Sequence, residues 1–253
     1  MNDMKKPTNI VSISFLKKEN GTSKFGPYVE MCYKAMIHLK DHKGYVVSDE
    51  LLYERNYIIS LAYMMGTYDG KEKKMSGLIV GGDGNKSVFD NCLTRASEEN
   101  KQIYVTRKKL CFTSNYVAPD FVIHKNNKIK DINERNQRII IEAKTKKSLT
   151  PKEFYDDFFK LNVYLSCLKF RYGIYLLINT PISKVNRFIN EYIAKNYYIS
   201  EKCKNRMLFL IQEKESDIPS LYGFRINPKT YQLKNDGNCI CNIQDMVIKG
   251  NSI

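Results

Sequence analysis

Apolar residues recur at helical spacing along KFGPYVEMCYKAMIHLKDHK, residues 24 to 43, and predict a helix there. A second helix is predicted over SDELLYERNYIISLAYMMG, with Ser48, Asp49 and Glu50 as its start and Gly66 as its stop. YDGKEKKMSG and VGGDGNKS are turn-rich and read as loops, and VFDNCLTRASEEN reads as a third helical stretch. The pattern then shortens. QIYVTRKKLCF (102 to 112), YVAPDFVIH (116 to 124) and RIIIEAK (138 to 144) are β-branched and aromatic, and predict three strands. Polar KNNKIKDINERNQ joins the last two as a hairpin connection. The next stretch, TPKEFYDDFFKLNVYLSCLKFR, opens with Thr150 as N-cap and Pro151 at the first helical position, and predicts an amphipathic helix of about twenty residues. YGIYLLIN predicts a buried strand, PISKVNRFINEYIAKN a helix and NRMLFLIQE another strand. The tail, from LYGFRINPKTYQL to CICNIQDMVIKG, reads as a hairpin with irregular structure.

This order predicts an α/β fold whose mixed central sheet is flanked by helices, preceded by a helical N-terminal region. Residues 1–101 are the mainly helical part that packs on the core. Residues 102–253 supply the core and the C-terminal strands, the whole forming one compact domain. No apolar run approaches the roughly 20 residues that span a bilayer, which excludes a membrane partner on this reading. The opening residues lack a signal-peptide cleavage site. Seven cysteines, an odd number in a chain large enough to need no stapling, point to reduced thiols and a cytoplasmic setting. Lysine and arginine outnumber the acids 41 to 27, and the net charge of +14 favours a polyanion partner. A compositional bias towards Asn, Ile, Lys and Tyr accounts for the lysine excess equally well.

Candidate chemistry sits at the end of the isoleucine run. Side chains alternate along a strand, so Glu142 and Lys144 point one way and Ala143 the other. The isoleucines pin the strand in the core and leave the polar pair at its tip, where the sheet edge is expected to open to solvent. Pro119 and Asp120 begin the preceding strand, and the hairpin brings Asp120 towards Glu142. Two carboxylates this close repel unless a hard divalent cation or a nearby ammonium neutralises them.

Asp120 followed by Glu142-Ala143-Lys144 on the next strand resembles the motif of the PD-(D/E)xK nucleases, with a strand feeding the Glu and a capped helix after it. The resemblance covers roughly residues 102 to 180 and implies a restriction-endonuclease-like core. It further implies a metal-dependent nuclease acting in DNA repair, recombination, replication or defence. In that role Asp120, Glu142 and the Ala143 carbonyl would hold Mg²⁺ or Mn²⁺, and Lys144 would orient water or steady the transition state. Lys160 and Tyr164, four apart on one helical face, resemble the Gln-x-x-x-Tyr motif of RecB-type and lambda-exonuclease-type members. Lysine at the glutamine position departs from that motif. Both residues, with Lys146 and Lys147, are candidates to contact nucleic acid.

The resemblance also implies Glu30 and His38 on the first helix as further candidate metal ligands. Residues 124 to 147 hold Lys125, Lys128, Lys130, Arg135, Arg138, Lys144, Lys146 and Lys147 against three acids, which suits a phosphodiester backbone. Cys32, Cys203, Cys239 and Cys241 do not match iron–sulfur spacing, so no cluster is expected. DNA is the expected partner, RNA the alternative through a cap-snatching-like endonuclease. A non-catalytic nucleic-acid-binding subunit is the reading from a different class, and a homo-oligomer or partner protein stays open.

Overall fold

A computed structural model describes residues 26–41, 54–69, 79–81, 98–112, 118–125, 133–146, 148–203, 206–214 and 217–224. Lys147, Cys239, Cys241, the predicted loops between residues 70 and 87, apart from the short strand at 79–81, and the tail beyond residue 224 lie outside them.

The described elements, in chain order, are helices α1 (Pro27–Asp41) and α2 (Glu54–Asp69), strand β1 (Ile79–Gly81) and helix α3 (Glu98–Lys109). Then follow β2 (Phe121–His124), β3 (Gln137–Lys144), α4 (Pro151–Cys167), β4 (Tyr172–Ile178), α5 (Ile182–Ala194), a 3₁₀ turn (Glu201–Cys203), β5 (Met207–Gln212) and β6 (Ser220–Gly223). The fold is α/β with one mixed sheet, ordered β1-β2-β3-β4-β5-β6. β3, β4 and β5 run parallel, and the pairs β1–β2, β2–β3 and β5–β6 are antiparallel.

Alternation along the strands sorts the core into two layers. Ile139, Ile141 and Ala143 face α1 and α2 together with Ile174, Leu176, Leu208 and Leu210. Ile140 faces the other way with Tyr175, Leu177, Phe209 and Ile211, towards α4 and α5. A strand buried on both faces reads as a continuous apolar run, which is why Ile139-Ile140-Ile141 appears unbroken in sequence. β3 is therefore an interior strand, not an edge. Its polar tip is covered by helices rather than opened to solvent.

α4 begins where its sequence says. Thr150 accepts a hydrogen bond from the Glu153 backbone N–H while the Glu153 carboxylate accepts from the Thr150 backbone N–H, with Pro151 next in line. The helix runs 17 residues and buries Phe154, Phe158, Leu161 and Leu165 on the sheet. Its approach is close because β4 carries Gly173: a Cβ there would lie 3.2 Å from Leu165 Cδ1 and 3.5 Å from Leu161 Cδ2. α5 buries Val185, Phe188, Ile189 and Tyr192, a helical stripe, and its first N–H, on Ile182, donates to Glu213 Oε1 at 3.1 Å.

Three sequence expectations are corrected. Residues 102–109, expected to open a strand, belong to α3. Ile103, Thr106 and Leu110 are the buried positions, at spacings of three and four, and burial of that face outweighs β-branched propensity. α3 is then fastened by Ser166 Oγ donating to Glu99 at 2.6 Å, by the Tyr198 hydroxyl donating to the same carboxylate, and by the Tyr198 N–H donating to Thr106 Oγ1 at 2.7 Å. Second, Gly66 does not stop α2, which continues to Asp69. Nothing stands within 4 Å of a Cβ at Gly66, so the residue sits in an ordinary exposed helical position. Third, Cys167 is disulfide-bonded, against the expectation of reduced thiols throughout. Spacing along the chain does not reveal which thiols a fold brings together. Cys32, Cys111 and Cys203 are free. Among the described residues no helix is long and apolar enough to cross a membrane.

Candidate active site

The β2–β3 register sets the first pair of acids. Phe121 lies opposite Ile141, so Asp120, one residue earlier, stands at the level of Glu142. Asp120 Oδ2 accepts a hydrogen bond from the Ala143 N–H at 2.7 Å, which locks the start of β2 to the tip of β3. Glu142 and Lys144 share the β3 face that looks at α4, as alternation demands. Glu142 is 0% exposed.

Two acids from the flanking helices complete the cluster. Glu54 opens α2, where a carboxylate also suits the helix N-terminus. Asp157 sits nearly two turns into α4. Lys144 Nζ donates to Glu54 Oε1 at 3.0 Å and to the Ala143 carbonyl at 2.9 Å. It also stands 2.9 Å from Asp157 Oδ2, an ion pair without hydrogen-bond alignment. Lys160 Nζ donates to Glu142 Oε2 at 2.7 Å and pairs with Asp157 Oδ1 at 2.7 Å. Asp157 thus bridges the two ammonium groups, one on each oxygen. Tyr164, one helical turn beyond Lys160, is fully buried, and its hydroxyl lies within hydrogen-bonding reach of the Glu142 carboxylate without forming an aligned bond among the described residues. Glu142 Oε1 is likewise buried and makes no aligned hydrogen bond.

Electrostatics follow from this crowding. Burial raises the Glu142 pKa well above the carboxylate range; Lys160 opposes the rise, while Asp157 and Asp120 add to it. Burial also raises Asp120 and Glu54, against the Ala143 N–H for Asp120 and Lys144 for Glu54. For the lysines burial works against the charge, yet Asp157 and Glu54 outweigh it at Lys144, and Glu142 and Asp157 do so at Lys160. Both ammonium groups are therefore held firmly protonated. Counted as ionised, four carboxylates against two ammonium groups leave an excess of two negative charges in a largely buried site.

A hard divalent cation fits that donor chemistry: it takes oxygen ligands, matches an excess of acids over ammonium groups and would engage the Glu142 carboxylate. As the side chains stand, no three His, Cys, Asp or Glu among the described residues are gathered as a cage, because the lysines lie between the acids. Asp120, Glu142 and Lys144 come together as the sequence anticipated, and the Ala143 carbonyl joins them as the acceptor of Lys144. Lys160 and Tyr164 line the same face, but Lys160 engages the carboxylates.

The other candidates have their described contacts elsewhere. Glu30 pairs with Lys34 at 2.8 Å on the surface of α1, and the His38 ring packs edge-on to Tyr68. Lys146 is exposed and pairs with the capping residue Glu153 at 2.7 Å. Sequence reasoning missed Glu54 and Asp157. For Asp157 a signal existed, since residues 157, 160 and 164 recur at helical spacing. Glu54 had none, for its contact with Lys144 spans 90 positions.

A comparison with known proteins finds no family model, no curated protein and no solved structure that matches this chain.

Proposed function

We propose that the protein is a metal-dependent nuclease of the PD-(D/E)xK type, with a restriction-endonuclease-like core, hydrolysing phosphodiester bonds of DNA. One observation carries the reading: Asp120, Glu142 and Lys144, joined by Glu54, Asp157 and Lys160, converge in a buried cluster whose acids outnumber its ammonium groups by two. A structural salt-bridge network would be expected to match acids with cations and satisfy its buried oxygens. This one has more acids than ammonium groups, and Glu142 Oε1 and the Tyr164 hydroxyl make no aligned hydrogen bond among the described residues.

Asp120 and Glu142 would hold Mg²⁺ or Mn²⁺. When bound, the ion supplies a water of lowered pKa and neutralises charge on the scissile phosphate. The chain's own residues do the rest. Asp120 fixes the tip of β3 through the Ala143 N–H, so Glu142 and Lys144 keep their aim. Lys144, kept protonated by Asp157 and Glu54, is a fixed positive charge for a phosphate oxygen. The apolar walls from β4 and α4 exclude water and strengthen each of these interactions.

The test is cleavage of linear and circular DNA by the purified protein and its Glu142→Ala variant, with Mg²⁺ or Mn²⁺. The reading requires activity that the variant lacks. Equal activity in both, or none in either, rejects it. The engagement of both lysines with the acids favours a second reading, a nucleic-acid-binding subunit without hydrolysis. DNA binding without cleavage under all these conditions would select it.

A further inference from the structure

Lys160 holds a particular position in the cluster. Its Nζ lies 2.7 Å from Glu142 Oε2 and 2.7 Å from Asp157 Oδ1, between carboxylates from two different elements. The other Glu142 oxygen is buried and makes no aligned hydrogen bond among the described residues. We infer that Lys160 is a tethered counter-ion: its ammonium occupies Glu142 Oε2, on a carboxylate that a divalent cation held by Asp120 and Glu142 would need, and a cation entering the site displaces it. This rests on the cation-binding reading above and deepens it.

The physical case is one of exclusion. Hard cations bind carboxylate oxygens at roughly 2.0–2.6 Å, inside the reach of an ammonium hydrogen bond. An ammonium and a divalent ion therefore cannot share the same carboxylate oxygen. Their repulsion at about 4 Å corresponds to a factor on the order of a million in affinity at a surface-like dielectric. The four-carbon stem of lysine lets the ammonium swing aside while the helix stays put. Without a cation, Lys160 keeps the two acids neutralised. With one, its charge is released for a phosphate. The cluster thus has a stable metal-free state at the expense of cation affinity.

Calorimetric titration with Mn²⁺ tests this on the full chain and on Lys160→Gln, Lys160→Arg and Glu142→Ala. Lys101→Gln, altering a lysine paired with Glu98 on the surface of α3, is the control. Lys160→Gln should bind Mn²⁺ at least about tenfold more tightly than the unaltered protein, with Lys160→Arg and Lys101→Gln showing no gain. Equal or weaker binding by Lys160→Gln, with Glu142→Ala abolishing binding, overturns the counter-ion role and leaves the cation site standing. No binding by any protein overturns both. A second measurement needs no stable variant. The ammonium resonance of Lys160 in the ¹H–¹⁵N spectrum of the unaltered protein should be visible in EDTA and shift or vanish at saturating Mg²⁺. An unchanged resonance overturns the inference.

Discussion

Replacing Tyr164 by Phe removes one oxygen atom from the centre of the site, and the structure sets the sign of the effect. Tyr164 is fully buried and its hydroxyl makes no aligned hydrogen bond among the described residues. It lies beside Glu142, whose charge and hydrogen-bonding contact add to burial in raising the phenol's pKa. An unsatisfied buried hydroxyl costs about 1–3 kcal/mol, so deleting it should stabilise the fold by about 1 kcal/mol once a small void is allowed for. In a domain of this size that corresponds to a rise of roughly 2–4 °C in Tm. Under the nuclease reading the same change should slow DNA cleavage by about tenfold, since one hydrogen bond to a phosphate or to the Glu142 carboxylate would be lost at the reacting centre. Guanidinium unfolding at pH 7 and initial cleavage rates measure the two effects. A gain in stability with a loss of rate is the expected pair. A loss of 1 kcal/mol or more would mean that the hydroxyl already donates to Glu142, and the argument from an orphaned group would be refuted.

Other consequences can be checked separately. Gly173→Ala sets a Cβ 3.2 Å from Leu165 Cδ1 and should cost about 1–3 kcal/mol in chemical denaturation, while lowering cleavage by shifting α4 with Asp157 and Lys160. Asn162 is fully buried and accepts from the Ser200 N–H at 3.0 Å and from the Cys203 thiol at 2.8 Å; Asn162→Leu should cost about 2–4 kcal/mol, by the same measurement, and leave the metal requirement unchanged. Lys146, the Thr150 backbone N–H and the Thr150 hydroxyl hold the Glu153 carboxyl down at about 2. A lowered carboxyl pKa stabilises the fold above the unfolded value and loses that contribution as pH falls towards 2. Glu153→Gln should therefore lose less stability than the unaltered protein between about pH 4.5 and 2, by no more than about 1 kcal/mol because the pair is partly exposed.

Local chemistry made parts of this molecule legible in the sequence. The Thr150-Pro151-x-Glu153 start of α4 needs no tertiary partner, and the structure reproduces it. The unbroken isoleucines of β3 mark a strand buried on both faces, although placing its tip at an open edge overlooked what that burial implies. Alternation put Glu142 and Lys144 on one face, and the hairpin put Asp120 level with Glu142. What stayed hidden depended on contacts far apart in the chain. Ile103, Tyr104 and Val105 look like a strand until the buried Ile103, Thr106 and Leu110 reveal the helical stripe, with Glu98 and Glu99 at its start and Arg107, Lys108 and Lys109 at its end. Asp156 and Asp157 are indistinguishable in sequence. Helix orientation sends the first to Lys152 at the surface and the second to Lys144 and Lys160 in the site. Glu30 was the natural upstream acid because it lies on the first helix, yet Glu54 on the second is the one that reaches Lys144.

The central claim is that strand tips β2 and β3 present a carboxylate pair to one divalent ion, and anomalous scattering from crystals equilibrated with Mn²⁺ tests it most directly. The account predicts a peak roughly 2.0–2.3 Å from oxygens of both Asp120 and Glu142, with the Lys160 ammonium moved off Glu142. A Mn²⁺ peak remote from both residues, or no peak at a concentration that supports DNA cleavage, would contradict it.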